Sequence, residues 1–272
     1  VNLANLGTGI NSVTFSATNT ETTTINNMAA NGTVSFKADQ TATKAATVNL
    51  TDATGSADVL NVVLSKATAL ANVELTAAGI ETVNVTSTET ATTLLGTVTH
   101  AATLSIVDAK ALNISGNAGV TLGTLTGATA LTSIDASGVT AGLVSFTTAA
   151  LASAATIKGG QDANTIVATA ATKAVTYTGS EKVDTITINN ALNNVVNTAG
   201  GNDIIVTGSG ADTINAGAGD DSITSGSGLD IIDVGAGNDT YVVTANANGN
   251  IYASITGMGK GDKIDFLAGG GA

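Results

Sequence analysis

Five aspartates recur every nine residues, at Asp203, Asp212, Asp221, Asp230 and Asp239. Each follows a glycine by two places (Gly201, Gly210, Gly219, Gly228, Gly237) and precedes a large apolar residue by two (Ile205, Ile214, Ile223, Ile232, Tyr241). Further glycines stand at 208, 217, 226 and 235, and Asn202, Asp220 and Asn238 come directly before three of the aspartates. This combination suits a hard cation. Glycines let a short turn curl until its carbonyls face one spot, and the aspartate adds a carboxylate oxygen. Calcium takes about six to eight oxygen ligands, which two stacked turns of this kind can supply. Without a cation, five turns aiming carboxylates at their neighbours would repel one another.

The register divides residues 198–242 into five gapless nonapeptides, 198–206, 207–215, 216–224, 225–233 and 234–242. In each, six residues read as a turn and three as a short strand whose middle side chain points inward. Two nonapeptides then make one coil of about eighteen residues. The pattern resembles the GGxGxDxUx signature of the repeats-in-toxin (RTX) family, whose repeats bind calcium in a parallel β-roll. It departs from that signature at the first place, which is Thr198, Thr207, Ala216, Ser225 or Val234, and at Ala199 in the second place of the first repeat. The resemblance implies Ca²⁺ as cofactor, with three or more ions, because the first turn pairs with the third, the second with the fourth and the third with the fifth. Turns carrying Asp162 and Asp184 extend the candidate ladder upstream. The segment around Asp262 and Asp265 resembles the closing segment of the same family, which makes both aspartates candidates for the terminal ion.

The elements that must hold these turns are β-strands. The chain has 272 residues, with 47 Thr, 32 Gly, 3% aromatic residues and no Pro, a composition that favours strand over helix. Apolar centres near Leu3, Phe15, Ile25, Phe36, Leu50, Val63, Leu75, Val85, Ile106, Ile114, Leu122, Ile134, Phe146 and Ile157 are separated by Gly, Asn, Asp, Ser and Thr clusters. Evenly spaced short strands also fit a sandwich or barrel. A solenoid is favoured because the spacing passes without a linker into the strict nine, through the stretches ending at Ile166 and Ile186, and because the runs are short and rich in Thr and Asn, as stacked polar ladders require. The predicted fold is all-β, a right-handed parallel β-solenoid ending in a calcium-binding β-roll. The expected division is 1–157 for the Thr/Ala-rich solenoid and 158–272 for the β-roll with its closing segment, residues 268–272 beginning a further tail.

Charge and composition narrow the function. A net charge of −12, with nine Lys and no Arg, argues against nucleic acid or an anionic membrane as partner and suits a collector of divalent cations. There is no Cys, so neither disulfides nor thiol chemistry are available. No apolar run approaches the ~18 residues that span a bilayer, so direct membrane insertion is not expected. His100 is the one histidine and reads as an ordinary strand residue, which leaves no histidine-rich zinc site. No catalytic residue is assigned and an enzyme is not expected.

Together with phrases resembling bacterial surface-layer proteins exported through a one-step channel, this points to an extracellular, calcium-dependent structural subunit. Its partners would be identical copies in a two-dimensional lattice, contacting through outward apolar residues such as Ile204, Val206 and Ile231, with cell-surface attachment through a part of the protein outside this chain. The alternatives are the folding and secretion module of an exported RTX enzyme or toxin, and a large repeat adhesin. Residues 159–272 hold twelve of the 21 acidic residues against four lysines. One inward apolar side chain per nine residues is a thin offset to a backbone ordering cost of ~1–2 kcal/mol per residue, so folding there is expected to need calcium.

Overall fold

The computed structural model describes residues 1–3, 10–42, 44–50, 54–91, 93, 98–243 and 253–266. The tail expected at 268–272 lies outside the described residues. Within them, 24 strands run from Ser12–Phe15 to Lys263–Phe266. Successive strands alternate between two sheets of twelve, odd-numbered strands in one and even-numbered strands in the other, and every pairing is parallel. A strand therefore pairs with the next but one, and two strands with their turns make one coil. This is a parallel β-solenoid. An antiparallel sandwich or barrel is excluded by the pairing. Of the expected strand centres all lie on strands except Leu3, which sits in a short 3₁₀ turn.

Coil length sets how much core each coil owns. Ile157, Tyr177, Val196, Ile214 and Ile232 stack in one column at spacings of 20, 19, 18 and 18 residues. Early strands are long enough to turn three side chains inward, as Leu60, Val62 and Leu64 do on Val59–Lys66. In the nonapeptides the three-residue strands bury one each: Ile205, Ile214, Ile223 and Ile232. The early coils thus carry a continuous hydrophobic core, and the nonapeptide coils two files, one from each sheet, with one isoleucine per three-residue strand. Residues 157 and 158 both lie in the strand Ala155–Lys158, which pairs on both sides, so the sheets continue without interruption past that point.

Outward positions form polar columns. Asn84 Nδ2 donates to Asn61 Oδ1 and Asn113 Nδ2 to Asn84 Oδ1, both at 2.9 Å. Stacked amides of this type satisfy one another from coil to coil and fix the register. His100 is fully buried. Its Nδ1 accepts the Leu70 N–H at 3.1 Å and its Nε2 lies 3.0 Å from the Thr88 carbonyl, while burial holds its pKa below the usual imidazole value. It is a satisfied structural residue of the strand Thr99–Ile106.

Candidate metal rows

Each aspartate of the nonapeptides stands immediately before its short strand, where the turn closes. The solenoid pitch then places it under the matching residue of the coil above. The backbone N–H of Asp203 donates to Asp221 Oδ1 at 2.8 Å, and that of Asp221 to Asp239 Oδ1 at 2.9 Å. On the other edge the Asp212 N–H donates to Asp230 Oδ1 at 2.9 Å. Alternate repeats share an edge because successive strands alternate between sheets, so the first turn meets the third, the second the fourth and the third the fifth.

The row leading into the even-numbered strands is longer than the nonapeptides alone. Upstream, the Asp184 N–H donates to Asp203 Oδ1 at 2.8 Å; downstream, the Asp239 N–H donates to Asp262 Oδ1 at 2.8 Å. Asp184, Asp203, Asp221, Asp239 and Asp262 thus form one ladder, and Asp212 with Asp230 a second. Two other candidates sit elsewhere. Asp162 accepts the Gly142 and Ala163 N–H groups with its two oxygens, and the ladder position of its turn is held by Asn164. Asp265 lies on the exposed last strand, opposite Val242, three residues beyond the ladder position.

In four of the row aspartates the rung leaves one carboxylate oxygen over. Asp203, Asp212, Asp221 and Asp239 are all buried, and in each Oδ2 has no partner while Oδ1 accepts an N–H. A buried carboxylate oxygen with nothing to accept from is costly unless a cation supplies the missing charge. The electrostatics agree. Burial, with a smaller contribution from Asp203 and Asp239, pushes the Asp221 carboxyl up to about 7. Burial, opposed by hydrogen bonds from Asn164 and Ser180 and reinforced by Asp203, raises Asp184 to about 6. Asp203, Asp212 and Asp239 are raised as well, again mainly by burial. In the metal-free geometry these carboxylates resist ionising, the condition that a divalent ion reverses.

The glycines make the turns stackable. A Cβ on Gly219 would collide with the carbonyl oxygen of Gly201 one coil above, and one on Gly237 with that of Gly219. Gly208, Gly210, Gly217, Gly226, Gly228 and Gly235 meet the carbonyl of the preceding coil in the same way. The carbonyls of one turn therefore lie against the next turn along its edge. Most of these glycines also have positive φ, for example 133° at Gly219, whereas Gly208 and Gly210 do not and are required by close approach alone. Ala199 takes φ 71° where the later repeats have glycine, a conformation an L-residue adopts at some cost.

The first-place departures from the RTX signature have a structural reason. Thr198, Thr207, Ala216, Ser225 and Val234 are all buried at the seam between turn and strand. Thr198 Oγ1 donates to the Ala216 carbonyl and Thr207 Oγ1 to the Ser225 carbonyl, so the hydroxyls bind coil to coil. A second ladder runs the opposite way at the fifth place: the Asp220 N–H donates to Asn202 Oδ1 and the Asn238 N–H to Asp220 Oδ1. Asn202 and Asp220 are thus spent on backbone N–H groups at the outer rim, and Asn238 Nδ2 donates to Asp220 Oδ1 at 3.2 Å.

Both rows begin with an amide. Asn164 Nδ2 donates to Asp184 Oδ1 at 2.7 Å, and Asn194 Nδ2 to Asp212 Oδ1 at 3.0 Å. The amide reaches Oδ1, the oxygen that also accepts the backbone N–H, so the first step of each row has a neutral amide where later steps have a second carboxylate. Asn194 falls outside the strict register because Asn replaces Asp and because Asn190 and Leu192 stand where later repeats have glycine; its position, nine residues before Asp203, is the available signal. Asn194→Asp is accordingly expected to add one calcium ion to the shorter row and raise the bound stoichiometry by one, which native mass spectrometry in calcium checks. An unchanged count would show that the amide is not what ends the row.

These residues fit calcium. Among the described residues no three His, Cys, Asp or Glu side chains converge. A site here must therefore take most of its ligands from backbone carbonyls, the donor set calcium accepts and zinc does not. Asp203, Asp212, Asp221, Asp230 and Asp239, with the glycine turns that carry them, are the residues that would hold it. Residues 190–214 and 206–241 match the family model of the RTX calcium-binding nonapeptide repeat (4 copies). No curated protein matches the chain. The segment carries RTX repeats, and RTX repeats bind Ca²⁺.

Proposed function

We propose that the chain is part of an extracellular structural protein that folds on meeting calcium outside the cell and assembles with identical copies into a surface layer. The observation that carries this reading is the set of large apolar side chains left outward beside the rows. Ile204 is 47% exposed, Leu229 68% and Ile231 60%. Ile231 lies on an odd-numbered strand, Ile204 on an even-numbered one, and Leu229 on the turn that enters the former. Apolar residues held this rigidly at the calcium-bearing end suit a contact that forms only after the metal has ordered the coils. Three or more ions are expected, one for each carboxylate rung at least between repeats one and three, two and four, and three and five.

Calcium would supply positive charge between stacked turns. The chain's own residues do the rest. The glycines allow the turns to approach, the Asp Oδ1 atoms fix coil register through backbone N–H groups, and the Oδ2 atoms present the negative charge. A second reading, the folding and secretion module of an exported enzyme or toxin, is favoured by the confinement of the family match to residues 190–241. The two part on assembly. In millimolar calcium the purified chain is expected to form ordered sheets by negative-stain electron microscopy, to disperse on chelation, and to stay dispersed when Ile204 and Ile231 are both replaced by Ser. A wild-type chain that stays monomeric and folded in calcium would favour the module instead.

A further inference from the structure

We propose a separate divalent-cation site in the early coils, between the turn at residues 54–58 and the turn at residues 78–81, with Asp58 and Glu81 as its carboxylate ligands. Asp58 immediately precedes the strand Val59–Lys66, and Glu81 immediately precedes Thr82–Glu89. Those strands pair with Val59 opposite Thr82, so the two acids stand one above the other, each where its turn closes.

Three features of the nonapeptide rows recur here. First, the Asp58 N–H donates to Glu81 Oε2 at 3.0 Å, as the N–H groups of Asp184, Asp203, Asp212, Asp221 and Asp239 donate to the carboxylate of the next coil. Second, the Asp58 carboxylate folds back over a glycine of its own turn. A Cβ on Gly55 would come within 2.8 Å of Asp58 Oδ2, and Gly179 and Asp184 show the same relation in the longer row. Third, Asp58 is only 8% exposed, and its Oδ2 is buried with no hydrogen-bond partner. That oxygen is the counterpart of the spare Oδ2 atoms of Asp203 and Asp221.

The surroundings set the charge of the occupant. Glu81 Oε1 lies 3.7 Å from the Lys110 ammonium, and Asp108 Oδ2 accepts the Gly79 N–H at 3.3 Å. Lys110 lies on the side of Glu81 away from Asp58, so the proposed ion belongs between Glu81 and Asp58. Asp58 and Glu81 bring two carboxylates to the pair, of which only Glu81 has an ammonium nearby, and a divalent ion meets the charge that remains. All available donors are oxygens, which selects calcium or a similar hard ion over zinc or copper. The spacing from Asp58 to Glu81 is 23 residues where the nonapeptides use 18, so no nonapeptide register reaches this pair.

The test uses the full chain with calcium as the only added metal. Native mass spectrometry gives the ion count, and hydrogen exchange with and without calcium reads residues 54–66 and 78–89. Asp58→Asn and, independently, Glu81→Gln are expected to lower the count by one and to abolish calcium-dependent protection of those two segments, while residues 198–242 keep theirs. Should Asp58→Asn fail to fold, Glu81→Gln gives the same reading, since Glu81 lies nearer the surface. An unchanged count in Glu81→Gln, or exchange at 54–66 and 78–89 that ignores calcium in the wild-type chain, would overturn the site and leave Asp58 Oδ2 as a hydrated oxygen. Loss of calcium dependence confined to 198–242 would instead strike at the nonapeptide rows, so the two failures are distinguishable.

Discussion

Chelation of calcium is expected to unfold residues 159–266 while the early coils keep their sheets. The difference lies in what each part buries. Strands such as Val59–Lys66 bring Leu60, Val62 and Leu64 into a shared core, whereas each nonapeptide strand contributes one side chain. The late coils also set buried carboxylates one above another, four of them with an orphan oxygen. With the ion removed, the attraction that offsets ordering the turns is lost and the like charges remain. Hydrogen exchange should show protection of 164–243 falling at least a hundredfold on chelation, with residues 59–89 changing far less. Asp212→Ala, Asp221→Ala and Asp230→Ala combined should shift the calcium midpoint for folding at least tenfold, about 1.4 kcal/mol. Equal β signal by circular dichroism with and without a chelator would remove calcium from the account of folding.

Acid should partly replace calcium. In the metal-free fold Asp184 is raised to about 6 and Asp221 to about 7, and Asp203, Asp212 and Asp239 are raised too, all mainly by burial. In the unfolded chain these groups titrate near the ordinary value of 3.8. Between those limits the folded state binds more protons than the unfolded one. Its stability is therefore fully present below about pH 4 and is lost as the pH rises through about 6 and then about 7. Chain freed of calcium by passage over a chelating resin is expected to regain β signal by circular dichroism at pH 5 that it lacks at pH 8. With calcium present the order reverses, because the ion binds the ionised carboxylates and competes with protons. Metal-free chain that is as stable at pH 8 as at pH 5 would show that the row aspartates ionise freely, and would contradict the buried geometry of Asp203 and Asp221.

Sequence alone determined the chemistry of the rows, because that chemistry is periodic. A glycine and an aspartate two places apart, recurring every nine residues with an apolar residue two places on, specify a turn, a ligand and an inward strand position together. The same periodicity gave the pairing of alternate repeats. It also gave the all-β fold class, since short Thr-rich runs without proline or a helical period leave little else. The sequence did not determine which member of a looser turn faces the row. At Asp162 and Asn164 the acid is the more obvious ligand, yet the turn closes on Asn164, and Asp162 is spent on the N–H groups of Gly142 and Ala163. Asp262 and Asp265 were equal candidates until strand register put Asp262 under Asp239 and Asp265 on an exposed strand.

Only the tertiary structure could join Asp58 to Glu81. Their coil is longer than the repeat, and a change of coil length erases the spacing while the parallel register preserves the stack. It also decided which carboxylate oxygens are left over. One oxygen of each row aspartate is occupied by the backbone of the neighbouring coil, a contact made between residues about eighteen apart whose strength depends on burial. A sequence states how many carboxylates there are. The pitch of the solenoid states how many of their oxygens remain free for a cation.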